Sequence, residues 1–217
     1  METEQHNPHH MYTVGEHTIR SMQEIRPDKV LRLTMLFHDV AKPVCRTEDE
    51  NAIHHFHGHP EVGAEMTRKI LRRLKFDNDT IRKVTALIRA HDDRPPLKDR
   101  AVRRAIFRNG VELYPEIFEV KRADIMAQSS FLQQEKLLYV DRYEHMYQQI
   151  LEKQQCLSLK DLSVNGSDLI AKGIKPGKEI GAILHEMLDK VLEEPEVNEK
   201  EVLLDWYFNQ NKEDPQD

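Results

Sequence analysis

Between about residue 13 and residue 155, apolar side chains recur every three or four positions, and the strict alternation that a half-buried strand needs is nearly missing. A chain patterned this way has to bury helix stripes against one another, so the fold class it implies is all-α. The periodic runs predict helices over about 13–26, 28–40, 60–75, 79–92, 98–109, 111–129 and 131–155. Punctuation agrees. Pro27 separates the first two, Pro43 follows the second, Pro95-Pro96 follows the fourth, Gly110 suits the end of the fifth, and Pro60 suits a first turn. Beyond Cys156 the pattern loosens into a loop-like stretch, Leu157–Gly166. A short helix at Ser167–Lys172, a longer one at Pro176–Leu192 and a last one at about 198–209 then precede an acidic tail. Two parts are therefore expected: a helical bundle over 1–155 and a small C-terminal helical appendage over 156–217.

Ionisable residues on apolar stripes are the informative departures. Residues three and four apart share a helix face. By that test His17 lies beside the stripe Val14, Thr18, Met22, Ile25. The run Val30–Phe37 is apolar nearly all round, should be buried, and ends in His38-Asp39. His59 opens the stripe Val62, Gly63, Met66, Ile70; His91 closes Ile81, Val84, Leu87, Ile88; Asp124 interrupts Leu113, Ile117, Val120, Ala127, Phe131. Taken singly, a buried histidine is more often a hydrogen-bonded core residue than a ligand, and a buried aspartate can be satisfied by an arginine. Taken together, six such groups on five helices are accounted for most economically by a shared cation. A buried carboxylate is costly without one, and neutral imidazole with carboxylate is a donor set that divalent metals accept. No Cys-x-x-Cys pair is present, which excludes a zinc ribbon. Of the 12 histidines, His145 and His185 sit on faces with nothing to recruit them, and His54, His55 and His57 occupy a loop that could line the site. His6, His9 and His10 form an N-terminal cluster.

Composition narrows the function classes. The mean hydropathy of −0.69 points to a soluble chain; no apolar run approaches a membrane span, and no leader follows Met1. Two cysteines, Cys45 and Cys156, are too few for a disulfide framework and suit a reducing, cytoplasmic setting. A net charge of −6 argues against a dedicated nucleic-acid binder. It hides an asymmetry: Met66–Arg108 holds 14 Lys and Arg against 5 Asp, a balance of +9. That stretch reads either as a solvated helix face or as a field that draws phosphates toward a site nearby.

The order His17, His38-Asp39, Asp124 resembles the H…HD…D pattern of the HD-domain phosphohydrolase superfamily, which are helical metal enzymes acting on phosphate esters. The strings LFHDVAKP (36–43), HFHGHPEVGAEM (55–66), RADIMAQ (122–128) and NGSDLIAKGIKPGKEIGAIL (165–184) are similar to the HD portion, and the segment after it, of bacterial CCA-adding tRNA nucleotidyltransferases. The resemblance covers about residues 7–192. Nothing before residue 7 matches the polymerase head of those enzymes, so the expectation is a free-standing HD module without nucleotide addition. Ala41 stands where a glycine is common in the HD motif.

The resemblance implies an HD-domain helical bundle. In it His17, His38, Asp39 and Asp124 hold one metal, while His59 and His91 complete a second that Asp39 bridges. It implies catalytic roles for Asp39 and Lys42, and a substrate-binding role for Lys42. His55, in the loop beside the site, and Arg94 are added here as candidate substrate contacts. One or two divalent ions, from among manganese, iron, nickel and magnesium, would activate water for attack on phosphorus. Lys42 and Arg94 would offset the charge that develops on the phosphoryl group. The expected substrate is a small phosphorylated molecule, a nucleotide or cyclic nucleotide, hydrolysed as by a 2′,3′-cyclic phosphodiesterase, a 2′-nucleotidase or a phosphatase. The alternative is a non-catalytic tRNA- or nucleotide-binding module with a vestigial HD site. Against tight RNA binding, Lys190–Asp217 carries 9 acids and 3 bases.

Overall fold

A computed structural model describes residues 12–210; the N-terminal histidine cluster and the last residues of the acidic tail lie outside them. The described chain is helical apart from one two-residue antiparallel pair, and it divides into two compact units, 12–94 with 109–145 and 95–108 with 146–210. Among the described residues no helix is long and apolar enough to cross a membrane.

In the first unit, α1 (Val14–Glu24) starts on a reciprocal cap. The Glu16 amide donates to Thr13 Oγ1 at 3.2 Å, and the Thr13 amide donates to Glu16 Oε2 at 3.0 Å. In α2 (Lys29–Phe37), the amides of Val30 and Leu31 donate to Asp28 Oδ1 at 2.8 and 3.0 Å. A tight turn leads to the four-residue α3 (Lys42–Cys45) and then to strands β1 (Thr47–Glu48) and β2 (His54–His55), paired Thr47 to His55 and Glu48 to His54. Gly58, at φ +75°, turns the chain into α4 (His59–Arg73), with Pro60 in the first turn. After it, α5 (Asn78–Ala90) is capped by Asp77, which accepts from the Thr80 amide at 2.8 Å. The second unit receives α6 (Asp99–Asn109), of which only Asn109 belongs to the first. The first unit resumes with α7 (Tyr114–Met126) and with α8 (Gln133–Glu152) as far as His145.

Helices α1, α2, α4, α5 and α7 pack on one another. One cluster joins Ala64 and Leu71 of α4 to Ile81, Val84 and Ile88 of α5, with Val30, Leu33 and Phe37 of α2 against it. A second is aromatic: Phe118 and Tyr143 meet edge to face with centroids 5.3 Å apart, and the Tyr114 and Tyr143 hydroxyls are 2.8 Å apart.

Three expected faces differ. The α2 run, expected to be buried all round, exposes Arg32 and Leu36; it is a wall of the bundle. The more enclosed helix is α7, where Tyr114, Ile117, Phe118, Val120, Lys121, Ala123, Asp124 and Ile125 are inside and only Pro115 and Met126 are exposed. On α4 the buried stripe is His59, Gly63, Ala64, Thr67 and Leu71; Val62 is 42% exposed, so the stripe lies one residue round from the expected one. Phe131, placed on the Asp124 stripe, is 45% exposed because α7 has already ended at Met126.

The second unit contains α6, the end of α8, α9 (Gly166–Ala171), α10 (Lys178–Glu193) and α11 (Lys200–Gln210). Its core holds Val102, Ile106, Leu169, Met187, Val191 and Leu203. Arg103 is buried with it: Nε donates to Leu192 O at 2.8 Å and Nη2 to Glu193 O at 3.0 Å, closing the last carbonyls of α10.

Candidate metal centre

The six singled-out residues come from five places in the chain and meet at one point of the first unit. His17 lies inside α1, His38 and Asp39 directly follow α2, His59 is the first residue of α4, His91 directly follows α5, and Asp124 is in the last turn of α7. All six are at most 9% exposed. They form two groups whose donor atoms lie within 4.8 Å of one another: His17, His38 and Asp124, and Asp39, His59 and His91. In the first group, His17 Nε2 is 3.1 Å from His38 Nε2 and 2.9 Å from Asp124 Oδ1. In the second, His59 Nε2 and His91 Nε2 are 3.2 Å apart.

Asp39 faces both. Its Oδ2 is 3.3 Å from His38 Nε2 and 3.6 Å from His17 Nε2, while its Oδ1 is 3.4 Å from His59 Nε2 and 3.8 Å from His91 Nε2.

The histidine tautomers follow from the far side of each ring. His38 Nδ1 lies 2.7 Å from Met35 O, His59 Nδ1 2.8 Å from Phe56 O, His91 Nδ1 2.6 Å from Ile88 O, and His17 Nδ1 3.3 Å from Ala127 O. A carbonyl only accepts, so every Nδ1 carries a proton and each neutral ring turns an Nε2 lone pair inward. Four lone pairs and two carboxylates then converge in a buried place. That arrangement is repulsive unless a cation or protons sit among them.

The titration directions express the same demand. Burial lowers the His38 pKa, but the Asp39 charge and the Asp124 contact outweigh it and hold His38 at about 10. Burial and the His38 charge push His91 down to about 4. Burial raises both carboxylates, yet His38 and Lys42 beside Asp39, and His17 and His38 beside Asp124, hold them well below the usual range. With no ion, protons on one side of the centre supply the positive charge. The donor set, all nitrogen and carboxylate oxygen, fits a mid-series divalent ion.

Around the six, Lys42 is buried with Nζ 2.8 Å from Asp39 Oδ2, although off the line of a good hydrogen bond, and 5.4 Å from the Phe56 ring centroid. Arg94 is about half exposed, pairs with Asp92 at 3.2 Å, and lines a cavity that also touches His91 and Asp124. No contact described for His55 reaches the six. Its Nε2 is held by Asp49 Oδ2 at 2.9 Å and its ring stacks on His57, both on its own hairpin. His145 and His185 are exposed, as expected.

Three further residues support the centre. Gln128 Nε2 donates to Asp124 Oδ2 at 2.8 Å and holds that carboxylate's second oxygen, and Lys136 Nζ donates to Gln128 Oε1 at 2.6 Å. Lys121, buried in α7, donates to the backbone carbonyls of His91, at 2.8 Å, and Asp93, at 2.5 Å; burial lowers its pKa to about 8. Lys121 had a signal: it lies four residues from both Ile117 and Ile125 and so shares their face.

Comparison with known proteins gives the lineage. A CC-adding tRNA nucleotidyltransferase of Thermus thermophilus is 33% identical over 188 residues, covering 83% of this chain and 41% of the relative. An A-adding tRNA nucleotidyltransferase of Deinococcus radiodurans is 32% identical over 190 residues, covering 83% and 43%. The chain thus spans about two fifths of the length of these relatives. The family model described as tRNA nucleotidyltransferase domain 2 matches residues 46–207, which take in His59, His91 and Asp124 and begin after His17, His38 and Asp39. That match covers well over half of the sequence, and the chain belongs to the tRNA nucleotidyltransferase domain 2 family.

Proposed function

We propose that the six residues hold one or two divalent ions and that the protein is a metal-dependent phosphohydrolase of the HD type, acting on nucleotide-type phosphate esters. The observation that carries this reading is the Asp39 carboxylate, with one oxygen turned to each histidine group. A structural carboxylate has no need to face two sets of lone pairs, whereas a carboxylate shared between two cation sites does. Divalent ions bound there supply Lewis-acid activation of water and charge compensation for phosphate oxygens.

The chain's own residues do the rest. The carbonyls of Met35, Phe56, Ile88 and Ala127 fix ring orientation and tautomer, and Gln128 fixes Asp124. Lys42, already against Asp39, is placed to donate to a phosphate oxygen and to offset charge there. Arg94, at the cavity wall, offers a fork of N–H donors to the same anion. On this reading residues 1–155 carry catalysis and 156–217 form the appendage.

A second reading has a specific basis in the relatives, whose names describe proteins acting on tRNA. In that reading the module binds tRNA or a nucleotide and does not hydrolyse it. One comparison separates the two. Wild type and Asp39→Asn are loaded with manganese, nickel or magnesium and assayed on 2′,3′-cyclic nucleotides and a phosphomonoester, with circular dichroism as the check on folding. The hydrolase reading expects wild-type turnover that falls at least about 100-fold in the folded variant. Equal turnover in both sinks it. Salt-sensitive tRNA binding with no turnover favours the binding module.

A further inference from the structure

The cavity beside the centre has about 250 Å³ of room and is walled by His91, Arg94 and residues of α7 and the start of α8. It touches both halves of the centre, through His91 of one group and Asp124 of the other. Its wall is divided by chemistry. Three cations, Arg94, Lys121 and Lys136, outnumber the two carboxylates, Asp124 and Glu135. The remaining wall is Ile125, Leu132, Val140 and the ring of Tyr139. An anion is suited to the first part and a flat apolar group to the second. The size lies just below the roughly 300–1,000 Å³ range of small-molecule sites, so it suits one nucleoside-sized ligand at most.

We infer that the first two turns of α8 are the specificity wall of this centre, with the Tyr139 ring as the platform for one nucleoside-sized ring and Lys136 as a cation for the phosphate it carries. The inference rests on the hydrolase reading for what happens to the phosphate, but its claim about recognition is separate. Tyr139 is well supported for the task. Its ring is 6.0 Å from that of Tyr143, which is fully buried against Tyr114 and Phe118, so the platform is backed by an aromatic cluster and not by solvent. Lys136 is tied to the centre through Gln128 and Asp124, so one side chain both borders the anion's place and supports a carboxylate of the cluster. A planar ring over a tyrosine face is recognised through stacking, without base-specific hydrogen bonds. The site should therefore prefer ring-bearing phosphates as a class and choose weakly among bases.

Adenosine 5′-monophosphate and ribose 5-phosphate differ at C1 of the sugar, where one carries adenine and the other a hydroxyl, so the ratio of their affinities reads the platform. Calorimetric titration of the manganese-loaded full chain should give wild type a preference of about tenfold or more for the nucleotide. Tyr139→Ala should bring the ratio close to one, and Tyr139→Phe should keep it. Lys136→Met should weaken both ligands and leave the ratio standing. An unchanged ratio in Tyr139→Ala, or no preference in wild type, overturns the inference. Because the ratio is taken within one protein, a partly unfolded variant does not imitate the effect. An adenylate oligonucleotide with a terminal phosphate forms the second arm. Binding as tight as the mononucleotide's identifies a chain end as the source of the ring, and much weaker binding identifies the free nucleotide. Ring-dependent binding with no turnover of any ester would refute the hydrolase reading and leave this one intact. Turnover with a ring-independent ratio would do the reverse.

Discussion

Arg103 in the second unit and the six residues around Asp39 in the first are buried to a similar degree, but they are satisfied differently. The guanidinium finds backbone carbonyls at the end of α10, where oxygens would otherwise lack donors, together with the Gln155 side chain at 3.3 Å. Its charge is matched from within the chain. With their rings neutral, the six residues of the first unit instead direct Nε2 lone pairs and carboxylate oxygens at one another, so their mutual approach makes the electrostatics worse until protons or a cation join them. A buried ionisable group is therefore not diagnostic of function. What separates the two cases is whether the partners are donors for its acceptors or more acceptors.

That contrast can be broken most forcefully at Arg103. Arg103→Ala leaves two α10 carbonyls without their donor and should cost about 3 kcal/mol in urea unfolding, with earlier hydrogen exchange in α10. Added metal should not restore it; restoration by manganese would show that the two units are not satisfied independently. Next in size is the effect of the ion itself. Manganese at about a hundred times its dissociation constant should stabilise wild type by about 2.7 kcal/mol, read as slower exchange in α2, α5 and α7. Asp39→Asn should lose most of that gain, and an equal gain in both would mean that the ion binds elsewhere. The smallest effect belongs to Gly58→Ala, which forces a side chain into a left-handed turn at φ +75° and should cost about 1 kcal/mol. Because that turn places His59, manganese affinity should weaken along with stability. Lost stability with undiminished affinity would separate the turn from the centre.

Helix stripes made the all-helical fold legible, because each amphipathic run has one solution for its apolar side. The same rule exposed His17, His38, Asp39, His59, His91 and Asp124, since an ionisable residue on an apolar stripe is visible by spacing alone. The β1–β2 pair was not legible: two residues per strand are too few for alternation to register. His55 shows another limit, because proximity in sequence to a ligand does not settle which way a hairpin turns its side chain. Gln128, Lys136 and Tyr139 were beyond reach for a different reason. Gln128 acts after α7 has ended, and the other two lie on partly exposed positions of α8, where no apolar stripe marks them. Which helix was the more enclosed also depended on packing partners, as α2 and α7 make plain.

Three of the four rings at the centre bond through Nδ1 to the carbonyl three residues earlier in the chain, and for His38 and His91 that carbonyl lies in the last turn of a helix. For these two, one nitrogen terminates a helix and the other serves the centre. Over long divergence the two uses would come apart. A relative that had lost its ion could still be selected to retain a histidine, or an asparagine reaching the same carbonyl, at these two helix ends. The Asp39 and Asp124 carboxylates close no helix end among the bonds described; they face the rings, Lys42 and Gln128. If the proposed function holds, the two aspartates are the residues whose disappearance would date the loss of the chemistry.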